Sequence, residues 1–172
     1  MYKLQCFVIL FLISFGKIAT AEKFVSYYAS IKSSEVNVRK GPNARYPIDW
    51  VYKKKGEPVE VIGQFEHWHR IRDISGDEGW VKTVMLSKKR FGVINIPKPK
   101  KTLKTNKEVF LYAKLYHKPD TSTKAFAHIE DSQRVDITQC QKQWCKIKVK
   151  DISGWIEKQD LWGVYSDEEF KK

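Results

Sequence analysis

Two tryptophan pairs recur along this chain at nearly the same spacing. Trp68 and Trp144 are 76 residues apart, and Trp80 and Trp155 are 75 apart. The first pair sits in "EPVEVIGQFEHWHRIRD" and "QRVDITQCQKQWCKIKV", with an apolar residue shortly after each tryptophan (Ile71, Ile147). The second pair sits in "GWVKTVMLS" and "GWIEKQDLW", each tryptophan after a glycine and before a β-branched residue. Two separate tryptophan registers that agree to one residue indicate an internal duplication, and a duplication decides the architecture before any local reading does.

Within each copy the apolar residues alternate with polar ones over short runs such as "VEVIG", "HRIRD" and "GWVKTVML", separated by Gly and Asp turns. Short Val- and Ile-rich strands at this spacing predict an all-β chain of two small barrels or sandwiches. Nothing after the first 21 residues has a helical period. Each copy, at roughly 60 residues, is marginal for a lone hydrophobic core, so packing between copies or a disulfide is expected to help. The expected layout is a leader at 1–21, a first copy at 22–96 closed by the strand "RFGVINI", a connector at 97–105, a second copy at 106–165 and a fraying polar tail at 166–172. The connector is placed by "NIPKPKKTLKTNKE", where Pro97, Pro99 and several lysines suit an extended, solvated segment.

The leader has the three parts of a secretory signal: Lys3, an apolar run of about ten residues, and Ala19-Thr20-Ala21 before Glu22. The run is well short of the roughly 20 residues that span a bilayer, so cleavage after Ala21 is expected rather than an uncleaved anchor or stable membrane insertion. Cys6 precedes the apolar run, which argues against a lipid-modified cysteine at the cleavage point. Export to the periplasm or beyond follows. It makes a disulfide the default state of the two remaining cysteines, Cys140 and Cys145, and it argues against nucleic acid as a partner. Of 32 Lys and Arg against 20 Asp and Glu, only Lys3 and Lys17 fall in the leader, so the remainder keeps a basic excess of ten. Such a surface favours anionic partners, although scattered lysines also serve simply to solvate polar faces.

The combination of "VNVRKGP", "EPVEV", a tryptophan-bearing hairpin and "GWV" resembles the bacterial Src-homology-3-like domain. With "WCKIKV" and "DLWGVYSDEE" in the second copy, the chain is similar to the exported two-copy alphaproteobacterial type over nearly all of residues 24–169. The resemblance implies two tandem small β-barrels. It also implies binding of wall peptide or of another protein, since such domains often target attached hydrolases. The second copy departs from the pattern, because "LYHKPDTS" has neither Arg nor Gly at the places of Arg39 and Gly41.

Residues able to carry catalysis are scarce. "HWH" brings His67 and His69 near each other, but a zinc site generally needs a third protein ligand, and no such spacing is evident. There is no phosphate loop, "GxSxG" or "HExxH", and a disulfide would remove the thiols. The expectation is a non-enzymatic binding module without metal or cofactor, recognising cell-wall peptide or a periplasmic protein. The alternative is an envelope scaffold that bridges other proteins, with a wall hydrolase a distant third. The candidate ligand residues lie in or beside "VRKGPNARYPIDWVYKKKG": Arg39 for charge or loop bracing, Tyr46 and Trp50 for stacking, and Lys53, Lys54 and Lys55 for electrostatic attraction. Gly41 is expected to supply backbone angles closed to other residues, and Pro42 to end strand pairing.

Overall fold

The structure, a computed structural model, describes residues 23–97 and 111–171. The expected leader and nearly all of the expected connector lie outside the described residues. Among the described residues no helix is long and apolar enough to cross a membrane. The first unit contains β1 (Tyr27–Ile31), β2 (Val36–Arg39), β3 (Ile48–Tyr52), β4 (Pro58–Phe65), β5 (Trp68–Arg72), β6 (Glu78–Lys82) and β7 (Leu86–Ser87). They form one antiparallel sheet in the order β3-β2-β6-β5-β4-β1-β7. Its end strands are not paired to each other, so the sheet is not a closed barrel. It nonetheless wraps a single core. Val36, Val38, Val59, Val61, Ile71 and Val81 are buried together, and Trp50 and Tyr52 from one end strand and Leu86 from the other pack on the same cluster. Alternation along each strand produces this: Val36 and Val38 point inward while Asn37 and Arg39 are less buried. Each such aliphatic burial contributes about 1.5–3 kcal/mol.

The second unit contains β8 (Phe91–Ile94), β9 (Tyr112–Leu115), β10 (Ala127–Glu130), β11 (Arg134–Gln141), β12 (Trp144–Val149), β13 (Ile152–Glu157), β14 (Leu161–Trp162) and β15 (Phe170–Lys171). The sheet runs β13-β12-β11-β8-β14, with β15 also on β11, and the β9–β10 hairpin attaches by a bridge from Tyr116 to Trp155. Both units carry the same irregularities. The register shifts between Val61 and Gly63 in the first and between Ile137 and Gln139 in the second, each a β-bulge 76 residues from its counterpart. The hairpin turns that follow begin with Glu66 (φ 48°) and Lys142 (φ 47°), both in the left-handed region. Cys140 and Cys145 are directly opposed on β11 and β12 and form the expected disulfide, with a Cα separation of 4.1 Å.

Two expectations are corrected. Phe91–Ile94 does not close the first unit; as β8 it pairs with β11 and β14 and opens the second. Ile94 enters the second core beside Leu161 and Ile137, which fixes the assignment. The units therefore meet at residues 88–90, and the Pro- and Lys-rich stretch falls between the first two strands of the second unit. Nor does the tail fray. Phe170 pairs with Cys140, and Lys171 with Gln139. The Arg90 guanidinium, only 14% exposed, is gripped by both carboxylate oxygens of Glu168 and donates to the Gly163 carbonyl at 2.7 Å. The buried Lys158 ammonium donates to the Ser166 and Glu168 carbonyls at 3.0 and 2.8 Å. Polar tail residues are held because they satisfy buried cations.

The same segment joins the units. Tyr28 meets Trp162 edge-on at 5.3 Å and Tyr165 at 4.8 Å, and the Tyr165 hydroxyl donates to Glu60 at 2.8 Å. Arg134 of β11 donates to the Lys55 carbonyl at 2.7 Å and pairs with Glu57 at 3.4 Å. Removing one partner of a fully buried ion pair costs about 3–5 kcal/mol, and the 24% exposure of Glu168 lowers that figure. Glu168→Gln is expected to destabilise the chain by about 2–3 kcal/mol in urea unfolding. A loss under about 0.5 kcal/mol, the usual scale for surface changes, would show that the clamp is not structural.

Candidate functional site

The β2–β3 loop is tightly tied. Lys40 donates to the Pro47 carbonyl at 3.2 Å, Tyr46 to the Asn43 carbonyl at 3.1 Å, and Arg45 to the Asn43 side chain at 2.9 Å. Gly41 has an ordinary φ, contrary to expectation. It is required for a different reason. A Cβ there would lie 2.7 Å from three atoms of the Tyr46 ring, which rests flat on the glycine. Arg39 completes the loop by donating from Nη1 to the Tyr46 carbonyl at 2.7 Å.

Arg39 also lines a groove. Together with Glu35, Asn37, Trp68, Lys82 and Met85 it borders a cleft of about 190 Å³. Lys82 lies 6.0 Å from the centroid of the Trp68 ring, at cation–π range. Neither Arg39 nor Lys82 has a carboxylate partner among the described residues. One bond holds Arg39, and its other donors remain unengaged. Two unpaired cations beside an aromatic wall suit a carboxylate or another compact anion.

The sequence-based candidates separate in space. Arg39 belongs to the groove, whereas Tyr46, 47% exposed, lines a separate depression with Asn43, Arg45 and Pro47 and reaches Arg39 only through its carbonyl. Lys53 pairs with Glu35 of the groove rim at 3.0 Å. Lys54 and Lys55 are exposed in the β3–β4 turn and do not line the groove, and the Lys55 carbonyl serves the junction with the second unit. Trp50 is not a groove residue. It pairs with Val38, shares that residue's inward face, and packs on the first core, so its stacking role is withdrawn. Glu35, Val36, Asn37, Trp68, Lys82 and Met85 are the groove residues not singled out as ligand contacts. For the last three the signal was the duplicated hairpin and the segment that begins with "GWV".

The second unit has a different groove chemistry. Tyr116 stands where Arg39 stands, each bridging the "GW" tryptophan, and it is buried edge-on to Trp144 at 5.5 Å. Glu157 replaces Lys82 opposite the hairpin tryptophan. The pair of unpaired cations beside the hairpin tryptophan thus has no counterpart at these positions of the second unit.

His67 and His69 do not share a face. His67 is exposed in the turn, whereas His69 is 5% exposed, with Nδ1 at 3.0 Å from the Thr83 hydroxyl and Nε2 at 3.3 Å from the Tyr27 hydroxyl. This chain of groups fastens β1 and the 3-10 turn Thr83–Met85 to β5, at the position that Cys145 occupies in the second unit. Burial holds the imidazole's pKa below its ordinary value. Among the described residues no three His, Cys, Asp or Glu side chains are grouped to hold a metal.

Two outcomes follow from these placements. Trp50→Ala should destabilise the fold by about 2–3 kcal/mol, below the 3–5 of a fully buried aromatic, while Tyr46→Ala stays within about 1 kcal/mol; denaturant midpoints compare them. Because folding disfavours the charged form of His69, the unfolded chain binds more protons there. The contribution is complete above the unfolded pKa of about 6.5 and is lost as pH falls through it. Stability should therefore drop between pH 7 and 5 more steeply in the parent chain than in His69→Gln, as read from thermal unfolding.

Parts of several known proteins are similar to this chain. YrvJ of Bacillus subtilis (strain 168), named as an N-acetylmuramoyl-L-alanine amidase, is 26% identical over 128 residues, which span 74% of this chain and 24% of that protein. The chain thus spans about a quarter of the length of that relative. NlpC1 of Trichomonas vaginalis is 13% identical, with 83% of this chain and 48% of that one covered at a TM-score of 0.35. An NlpC/P60 family protein of Bacillus cereus is also 13% identical, with 78% and 55% covered at 0.32, and both scores are too low to compare overall arrangement. The bacterial SH3 domain model matches residues 32–88 and again 111–163, the bulk of both units. The chain belongs to the bacterial SH3 domain family.

Proposed function

We propose that this chain is a non-enzymatic binding module of the bacterial envelope, exported to the periplasm or secreted, whose first unit holds a carboxylate-bearing cell-wall peptide or protein segment. The observation that carries this reading is the groove in which Arg39 and Lys82 border Trp68 without a carboxylate partner among the described residues. Tyr46, whose carbonyl accepts from Arg39, offers an exposed ring in the adjoining loop for a further side chain. The relative named as an amidase supports a wall ligand, and the match to a quarter of its length leaves room there for catalytic sequence outside the shared module. The polar groups nearest a base, His69 and Thr83, are engaged with each other, which favours binding over catalysis.

Sedimentation with isolated wall sacculi tests the reading. Lys82→Ala should weaken binding about three- to fivefold at low salt, the worth of an exposed charge. The difference should vanish near 1 M salt, where the screening length is about 3 Å. Lys54→Ala should bind as the parent does. Equal binding by Lys82→Ala at low salt would remove the groove from the account. Release of soluble fragments would instead identify a hydrolase, and failure to sediment would favour the bridging adaptor.

A further inference from the structure

A cleft lies in the second unit against the tip of the β11–β12 hairpin. It encloses about 540 Å³ between Pro119, the hairpin tip Gln141, Lys142 and Gln143, the Trp144 ring and Glu169 of the tail. That volume falls within the range of small-molecule sites, about 300–1,000 Å³. Glu169 closes it by accepting the Lys142 backbone N–H at 2.8 Å, so the cleft exists because the tail is docked. In the first unit the same hairpin presents Phe65, Glu66 and His67, and no tail segment covers it.

The lining differs in chemistry from the cationic groove. Lys142 and Glu169 cancel in charge, which leaves two amides, one aromatic face and one proline. Gln141 accepts from Gln139 at 3.2 Å through its oxygen, and among the described residues its NH2 has no partner. The Gln143 side chain has no partner among the described residues, and Glu169 keeps a second oxygen. The left-handed turn at Lys142 fixes the residues that carry the amides, and Tyr116 holds the half-buried Trp144 edge-on. A fixed aromatic face flanked by unengaged amide donors and acceptors and one carboxylate matches a pyranose ring. The C–H face of such a ring packs on an indole, and its hydroxyl and acetamido groups both donate and accept. An anion gains nothing from a lining without net charge, and an aliphatic ligand would strand the amides.

We propose that this cleft is a glycan subsite for neutral N-acetylated amino sugars, so that the second unit contacts the sugar strand of a wall polymer while the first holds its peptide. The source of the ligand rests on the wall-binding reading, but the residues are separate. The test titrates the whole chain with a soluble tetramer of β-1,4-linked N-acetylglucosamine, followed by NMR. Saturable shifts are expected at the Trp144 indole and the Lys142 and Gln143 amides. The double variant Gln141→Ala/Gln143→Ala should weaken binding about four- to a hundredfold, since each lost hydrogen bond is worth a factor of roughly two to ten. Lys82→Ala should bind the tetramer as the parent does even where it loses sacculi, so the two readings fail separately. The absence of saturable shifts, shifts confined to residues away from Trp144, or parent-like binding by the double variant would overturn the proposal. Displacement of the tetramer by a sugar-free wall peptide that produces the same Trp144 shift would overturn it in favour of a second peptide site.

Discussion

A guanidinium in a nearly water-free position has to be neutralised and hydrogen-bonded, and in this molecule much else follows from that requirement at Arg90. It stands in the three-residue junction between the sheets, with Tyr28 of the first unit on one side and Phe170 of the second on the other, at 5.9 and 4.8 Å. Glu168 supplies the countercharge, and the Gly163 carbonyl supplies a further acceptor. Glycine at 163 adopts a φ of +113°, and a side chain there would lie 2.8 Å from the Phe91 carbonyl. Neutralising Arg90 thus pulls the last eight described residues back over both units. It sets Trp162 and Tyr165 against Tyr28, places Phe170 beside Cys140, and brings Glu169 to the hairpin tip.

The fold was largely legible in the primary structure because its signals are local and occur twice. The Trp68 and Trp144 hairpins, the alternating valines and the "GW" strands each announce themselves within ten residues. The disulfide could be read as well, since an even pair flanking a tight turn has little other use in an exported chain. What could not be read is long-range. "RFGVINI" has the same pattern whichever sheet it joins; only its pairing with residues 134–136 decides. Glu168 looks like part of a solvated acidic run until Arg90, 78 residues away, is placed against it.

The site shows the same division. Arg39 was identified as either brace or ligand contact, and it serves the first role while facing the groove of the second. Trp50 was misplaced for a definite reason. A bulge between Val38 and Arg39 resets the register with β3, so that Val38 faces Trp50 while Arg39 faces Ile48. The place of Trp50 beside the long loop suggested the groove, and this register turns it to the core instead. Gly41 was recognised as special, but the cause is the flat contact with Tyr46 and not an unusual backbone angle, a distinction that no residue pattern carries.

The place of β8 in the second sheet has a mechanical consequence. Only residues 88–90 run from the last strand of the first unit to the first strand of the second, so three residues set the spacing of the two sheets. A single insertion there would pull Arg90 out of its socket against Glu168 and the Gly163 carbonyl. The molecule therefore behaves as a ruler whose graduation is fixed at one short joint.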